Sequence, residues 1–77
     1  MMDEKDYRTI IADNIKIFRE KKHLSQENFA ALVGFHRTYI GSIERCERNL
    51  TLSTLNTLAN FMDITIQDLL TTRKNDE

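Results

Sequence analysis

The sequence predicts an all-α fold of five short helices, and three observations support this class. Only two Gly and no Pro occur in 77 residues, and no turn dipeptide of the Asn-Gly type is present, so tight β-hairpins are disfavoured. Apolar residues recur at helical spacing along most of the chain. With 40% hydrophobic and 30% charged residues, the composition is typical of a globular protein. We expect one domain, residues 1–77, with frayed ends at 1–5 and 72–77.

Apolar spacing and capping residues place the first two helices. Ile11 and Ile15 recur at helical spacing within a first helix expected from about Tyr7 to Lys22. Ser25 is a suitable N-cap for a second helix. The apolar run of this helix ends at Gly34, a residue that adopts left-handed backbone without a Cβ penalty.

Three more helices are predicted from the same signals. A third is expected from His36 or Arg37 to Arg45, with its isoleucines directed inward. Thr51 can cap a fourth helix, which carries a leucine-rich stripe. Thr65, followed three residues later by an acid, resembles a capping box for a fifth. Five short helices joined by short turns predict a compact bundle.

The net charge of −1 conceals an uneven distribution. Residues 1–15 have two bases against four acids, residues 16–48 have seven bases against four acids, and residues 49–77 have two bases against four acids. The middle of the chain is therefore positive, at +3, between two segments of −2. A local basic face is sufficient to contact nucleic-acid phosphates, although it is also common on an ordinary solvated surface.

Several function classes are disfavoured. Cys46 is the only cysteine, which excludes an internal disulfide and favours a reducing, cytoplasmic setting; we expect it to be structural rather than a redox switch. The acidic start of the chain is unlike a secretory signal, and no apolar run is long enough for a bilayer. His23 and His36 lack metal-ligand spacing, and no catalytic triad, paired carboxylates or phosphate loop occurs. We expect no enzyme activity, metal, cofactor or small-molecule ligand.

The middle of the chain has the spacing of a helix-turn-helix. Counting Gln26 as position one, the small Ala30 stands at position five, where two steeply crossing helices approach each other. Gly34 stands at position nine, where the first helix must turn. Ile40 and Ile43 then anchor the second helix and leave its opposite face free. This arrangement is typical of a helix that reads the DNA major groove, although a plain helical hairpin inside a bundle would also accommodate it.

The outward side chains of the third helix favour DNA reading over the plain hairpin. A solvated face more often carries Glu or Lys, whereas these residues are small or can form hydrogen bonds. They are Arg37, Thr38, Tyr39, Gly41 and Ser42. The N-terminal end of the helix also directs free N–H groups toward an anion.

The same stretch contains the motifs Leu24-Ser25-Gln26-Glu27, Ala30, Gly34, Ile40, Ile43-Glu44-Arg45 and Arg48-Asn49. With these motifs, residues 11–70 resemble a known family, the lambda-repressor-like or XRE-type helix-turn-helix proteins. Within the stretch, Arg37-Thr38-Tyr39-Ile40 is followed by Ile43-Glu44-Arg45 and by Arg48-Asn49-Leu50-Thr51. This succession more narrowly resembles the controller proteins of restriction–modification systems. The resemblance implies a compact five-helix domain whose second and third helices form the helix-turn-helix.

Candidate DNA contacts divide into base readers and backbone contacts. We expect Arg37, Thr38 and Ser42 to read bases, with Arg37 first because its guanidinium fork matches the O6 and N7 acceptors of guanine. Backbone contacts fix the register without specifying sequence. These are expected from Gln26, His36, Tyr39, Arg48 and Asn49. For His36 an N-cap role is the alternative, and Arg48 could also reach a base.

The resemblance further implies a structural ion pair between Arg19 and Glu44, joining the first and third helices. The chain departs from the family pattern at two positions. Cys46 replaces the usual Gly, which costs about 1 kcal/mol if the backbone there is left-handed. Leu50 replaces the usual Pro, so the start of the fourth helix depends on Thr51.

An excess of apolar residues in the last two helices predicts a homodimer. We expect Leu50, Met62, Ile64 and Ile66 to contribute to its interface. The controller resemblance implies binding of double-stranded, palindromic operators upstream of the chain's own gene, with two dimers cooperating and RNA polymerase as a further partner. The alternatives are a phage-type repressor or an antitoxin of the same fold, or a helical protein–protein interaction module.

Overall fold

The computed structural model describes residues 6–72, which form five α-helices and no β-strand. The helices are α1 (Tyr7–Lys22), α2 (Gln26–Val33), α3 (Arg37–Glu44), α4 (Leu52–Met62) and α5 (Ile66–Leu69). The predicted all-α, five-helix fold is confirmed, and so are the bounds of α1. Of the ends expected to fray, only Thr72 lies within the described residues; the rest lie outside them. None of the described helices is long and apolar enough to cross a membrane.

The helices begin at the caps expected from the sequence. The Ser25 and Thr51 hydroxyls accept hydrogen bonds from amides three residues on, at 2.9 and 3.1 Å. Thr65 and Asp68 form a reciprocal capping box, with distances of 2.9 and 3.3 Å. Each cap satisfies an amide that has no partner inside its helix, which contributes about 1 kcal/mol.

The core lies where the five helices meet. Its largest fully buried side chains are Ile11, Ile15, Phe29, Ile40, Leu58 and Leu69. The rings of Phe18, Phe29 and Phe61 stand edge to face around one point, with centroid separations of 5.9, 5.9 and 5.6 Å. Aromatic pairs at this separation stabilise a core beyond the area they bury. They hold α1, α2 and α4 together, and α3 packs against α1 and α2.

The turn between α2 and α3 has the geometry predicted for a helix-turn-helix. Gly34 adopts a left-handed backbone with φ 98°, and its amide donates to the Ala30 carbonyl at 2.8 Å. The Phe35 amide donates to the same carbonyl at 2.9 Å. Ala30 is buried, as expected for the small residue at the helix crossing.

Two further features secure the ends of the bundle. Cys46 has φ 64°, so the left-handed backbone considered from the sequence is present at a residue other than Gly. The Cys46 thiol lies 3.7 Å from the Thr9 hydroxyl of α1. On the other side, the buried Asn14 amide donates to the carbonyls of Leu69 and Thr71, at 2.8 and 3.1 Å. This clamp fastens the end of α5 to α1, and no pattern in the sequence had indicated it.

Candidate nucleic-acid interface

The N-terminal turn of α3 is the exposed part of the helix-turn-helix. The Arg37 side chain is 66% exposed, and its one ion pair among residues 6–72 is a 3.8 Å contact with the exposed Glu27. Thr38 beside it is exposed as well. The His36 ring caps the helix, because its Nδ1 accepts the Thr38 amide at 3.0 Å. The positive end of the helix dipole and an exposed guanidinium therefore lie together at this end of α3.

The opposite end of α3 is fastened to α1 and α2 by a buried polar cluster. Arg19 donates to the Glu44 carboxylate through Nε at 2.8 Å and Nη2 at 2.9 Å. Gln26 donates to the same carboxylate at 2.9 Å, and Arg19 also reaches the Leu24 carbonyl at 3.0 Å. The ion pair expected from the family resemblance is present, and Gln26 braces α3 from α2. The angle of α3 is therefore fixed at this junction.

The expectation that Ser42 reads bases is wrong. Ser42 is only 5% exposed, and its hydroxyl donates to the Tyr39 carbonyl at 2.7 Å. The same oxygen accepts the Arg48 Nε–H at 3.1 Å. Gly41, assigned to the same outward face, is buried too. Both residues are covered by longer side chains from outside their own helix, which helical periodicity does not reveal.

A second part of the site lies along the side of α3. It consists of Tyr39, Arg48 and Asn49. The Arg48 guanidinium lies over the Tyr39 ring at 5.2 Å, a cation–π geometry. Tyr39 is half-buried, and its hydroxyl is 3.4 Å from the Thr54 hydroxyl at the start of α4. Asn49 is exposed and accepts a hydrogen bond from the Tyr7 hydroxyl at 3.3 Å. These contacts place the loop that follows α3 beside Tyr39, between the starts of α1 and α4.

Arg45 belongs to this surface as well, although it is not among the contacts expected from the sequence. A Cβ at Gly41 would lie 3.1 Å from Arg45 Nη1 and 3.4 Å from Gln26 Oε1, so both side chains cover that glycine. Arg45 Nε also donates to Glu47 at 3.0 Å. This hydrogen bond lowers the pKa of the Glu47 carboxyl and raises that of Arg45. Spacing of i, i+4 and i+8 from Arg37 through Gly41 to Arg45 is the signal that could have found it.

The partner surface predicted on the last two helices needs one correction. Met62 is only 6% exposed and belongs to the core of the single chain, so it is not available to a partner. Leu50, Ile64 and Ile66 are half-buried against that core. The most exposed apolar side chain of this region is Leu52 at the start of α4, at 70%.

Comparisons with known proteins agree with this geometry. The family model described as helix-turn-helix (HTH_3) matches residues 15–69. Control protein C.SmaI of Serratia marcescens is 50% identical over 66 residues, which are 86% of this chain and 79% of that protein.

Two solved structures have the same fold. The hypothetical transcription factor NHTF from Neisseria matches with a TM-score of 0.82 and 35% identity, over 94% of this chain and 83% of that one. The restriction–modification controller protein C.Esp1396I, a tetramer in complex with its natural 35 base-pair operator, matches with a TM-score of 0.72 and 30% identity. That match covers 87% of this chain and 92% of the controller. This chain therefore belongs to the helix-turn-helix family, in the group that includes the control proteins of restriction–modification systems.

Proposed function

We propose that the protein is a sequence-specific transcriptional regulator that serves as the controller of a restriction–modification system. The observation that carries this proposal is the exposed Arg37 at the N-terminus of a recognition helix whose other end is locked by Arg19 and Glu44. A side chain can select bases only if its helix is held at a defined angle to the groove. The control-protein relatives favour this function over a phage repressor or an antitoxin.

In this function the first turn of α3 enters the major groove. Arg37 donates both arms of its guanidinium to a guanine, and Thr38 contacts the neighbouring base or a thymine methyl. The surrounding polar residues hold the phosphates on either side of the groove and set the register. These are Gln26, His36, Tyr39, Arg48 and Asn49.

Two copies of the chain bind a palindromic operator as a two-fold dimer. Half-buried Leu50, Ile64 and Ile66, together with exposed Leu52, supply the apolar surface for such a contact. C.Esp1396I occupies its operator as a tetramer, which supports cooperative binding of two dimers here. Occupancy then depends on protein concentration, and a dimer bound beside a promoter also stands within reach of RNA polymerase. This proposal places the action of the protein in the cytoplasm, without catalysis or cofactor.

Fluorescence anisotropy with DNA from upstream of the gene tests the base-reading role. Arg37→Ala should weaken operator binding by about 5- to 150-fold, the equivalent of one lost bidentate base contact, and should erase the preference over scrambled DNA. Lys16→Ala is the matched control, because it removes an exposed positive charge from α1 and should leave selectivity intact. Equal, weak binding of both DNAs by the wild-type protein would instead favour a protein–protein interaction module.

Sedimentation or light scattering tests the dimer. Ile64→Glu should give a folded monomer, because a carboxylate cannot be buried unpaired in the interface, and operator affinity should fall with it. Leu32→Glu is the control, since it places the same charge on an apolar side chain of α2 that is also exposed. A dimer that survives Ile64→Glu would show that the partner face has been misplaced.

A further inference from the structure

We infer that Ser42 is a positioning residue that holds the Arg48 guanidinium ready for DNA. The inference rests on the proposed function, and it gives Ser42 a role different from the base contact expected from sequence. The inference is based on a series of contacts between α3 and the loop that joins α3 to α4. In that loop, Arg48 has no helix of its own to orient it.

The orientation of the Ser42 hydroxyl is determined by its two partners. A hydroxyl has one hydrogen to donate, and that of Ser42 is used on the Tyr39 carbonyl at 2.7 Å. The lone pairs of the oxygen are then available to Arg48, whose Nε–H donates to it at 3.1 Å. Because Ser42 is buried, water does not compete freely for this oxygen.

The second support of Arg48 is the face of Tyr39, which is itself immobilised. The guanidinium carbon lies 5.2 Å from the ring centre. Phe35 packs edge to face against the same ring, with centroids 5.2 Å apart, and the Tyr39 hydroxyl approaches Thr54. One hydrogen bond and one aromatic face therefore restrict a side chain that is otherwise rich in rotamers, so less entropy is lost when it binds.

What remains free on Arg48 suits DNA. Within residues 6–72, its Nη1 and Nη2 make no hydrogen bond to the protein, and none of the ion pairs involves Arg48. Arg45, in contrast, is engaged by the Glu47 carboxylate. A neutral hydroxyl and an aromatic ring orient the Arg48 cation without neutralising it, which leaves its outer donors for a phosphate or a base edge.

A double-mutant cycle on operator binding tests the inference. Ser42→Ala removes the hydroxyl and is compatible with the helix. It should weaken binding about three- to tenfold, which is within the usual net effect of losing one intramolecular hydrogen bond. In an Arg48→Ala background the same change should alter affinity less than twofold, whereas in an Arg37→Ala background it should keep its full effect. An equal loss in both backgrounds would mean a general structural role and overturn the inference. Tighter binding by Ser42→Ala would mean that the serine withholds Arg48 from DNA, which also overturns it.

A measurement on the free protein separates this inference from the proposed function. The Arg48 Nε–H should give a rigid ¹H–¹⁵N signal in the wild-type protein and a mobile one in Ser42→Ala, while the thermal transition shows that the variant is folded. A mobile signal in the wild-type protein would overturn the positioning role of Ser42 and leave the proposed function standing. A rigid signal without operator preference would overturn the proposed function, and the DNA role of Arg48 with it.

Discussion

Replacing Arg19 with methionine should be among the most destabilising changes available outside the apolar core. The Glu44 side chain is only 3% exposed, and the substitution removes its two hydrogen bonds from Arg19, of 2.8 and 2.9 Å, while the Gln26 bond of 2.9 Å remains. Removing one partner of a buried ion pair leaves the other charge buried without compensation, which lowers the free energy of unfolding by about 3–5 kcal/mol. The lower figure is expected, because the Arg19 side chain is 19% exposed and water can enter. The whole free energy of unfolding of a domain of this size is about 4–12 kcal/mol.

Urea denaturation followed by circular dichroism measures this loss. A cost of about 3 kcal/mol would lower the midpoint of thermal unfolding by about 12–24 °C. Arg19→Met/Glu44→Leu should recover most of the stability, because no charge is then left buried without a partner. Arg45→Met is the control, since its ion pair with Glu47 is exposed and screened by solvent, and its loss should change stability little. The reasoning is refuted if Arg19→Met costs no more than Arg45→Met, or if the double variant is no more stable than Arg19→Met.

Two further predictions concern the ends of helices. Cys46→Gly should raise the free energy of unfolding by about 1 kcal/mol, since φ 64° strains any residue with a Cβ. Cys46→Ala keeps the Cβ and should give no such gain. Equal effects of the two substitutions in denaturation experiments would argue against strain. The Arg8 side-chain hydrogen bonds lower the pKa of the Asp6 carboxyl, which caps α1. Stability from this ionised cap is complete above the unfolded-state pKa and is lost as the pH falls through the lower folded-state pKa. In a ¹³C titration, Arg8→Met should return the Asp6 midpoint toward its ordinary value, and an unchanged midpoint would contradict this cause.

The predictable part of this fold is the part encoded in local chemistry. Ser25 and Thr51 cap helices because of their own hydroxyls, and Gly34 turns the chain because it lacks a Cβ. Such signals need only a few neighbouring residues, so one sequence contains them in full. The Arg19–Glu44 pair spans 25 positions and came from the family resemblance, because no local pattern specifies it.

The errors arise where distant residues decide which face of a helix is covered. Periodicity on α3 places Ile40 and Ile43 inward correctly. It cannot show that Arg48, from the following loop, folds back and donates to the buried Ser42 hydroxyl. Met62 was likewise expected to lie at a dimer interface, because the last two helices contain many apolar residues, but it is buried in the core of the single chain. Both mistakes come from tertiary contacts that a helical projection does not contain.

Mutations at the two ends of α3 have different consequences for the protein. The last turn of this helix, through Glu44, holds the domain together, whereas Arg37 and Thr38 at its first turn contribute almost nothing to the interior. Exposed substitutions of this kind usually change stability by no more than about 0.5 kcal/mol. Under the proposed function, lineages of this protein can exchange the first turn, and with it the DNA sequence they recognise, without compensating mutations elsewhere in the protein. Divergence of the operator is limited by the need for the DNA site to change in step, and not by the fold.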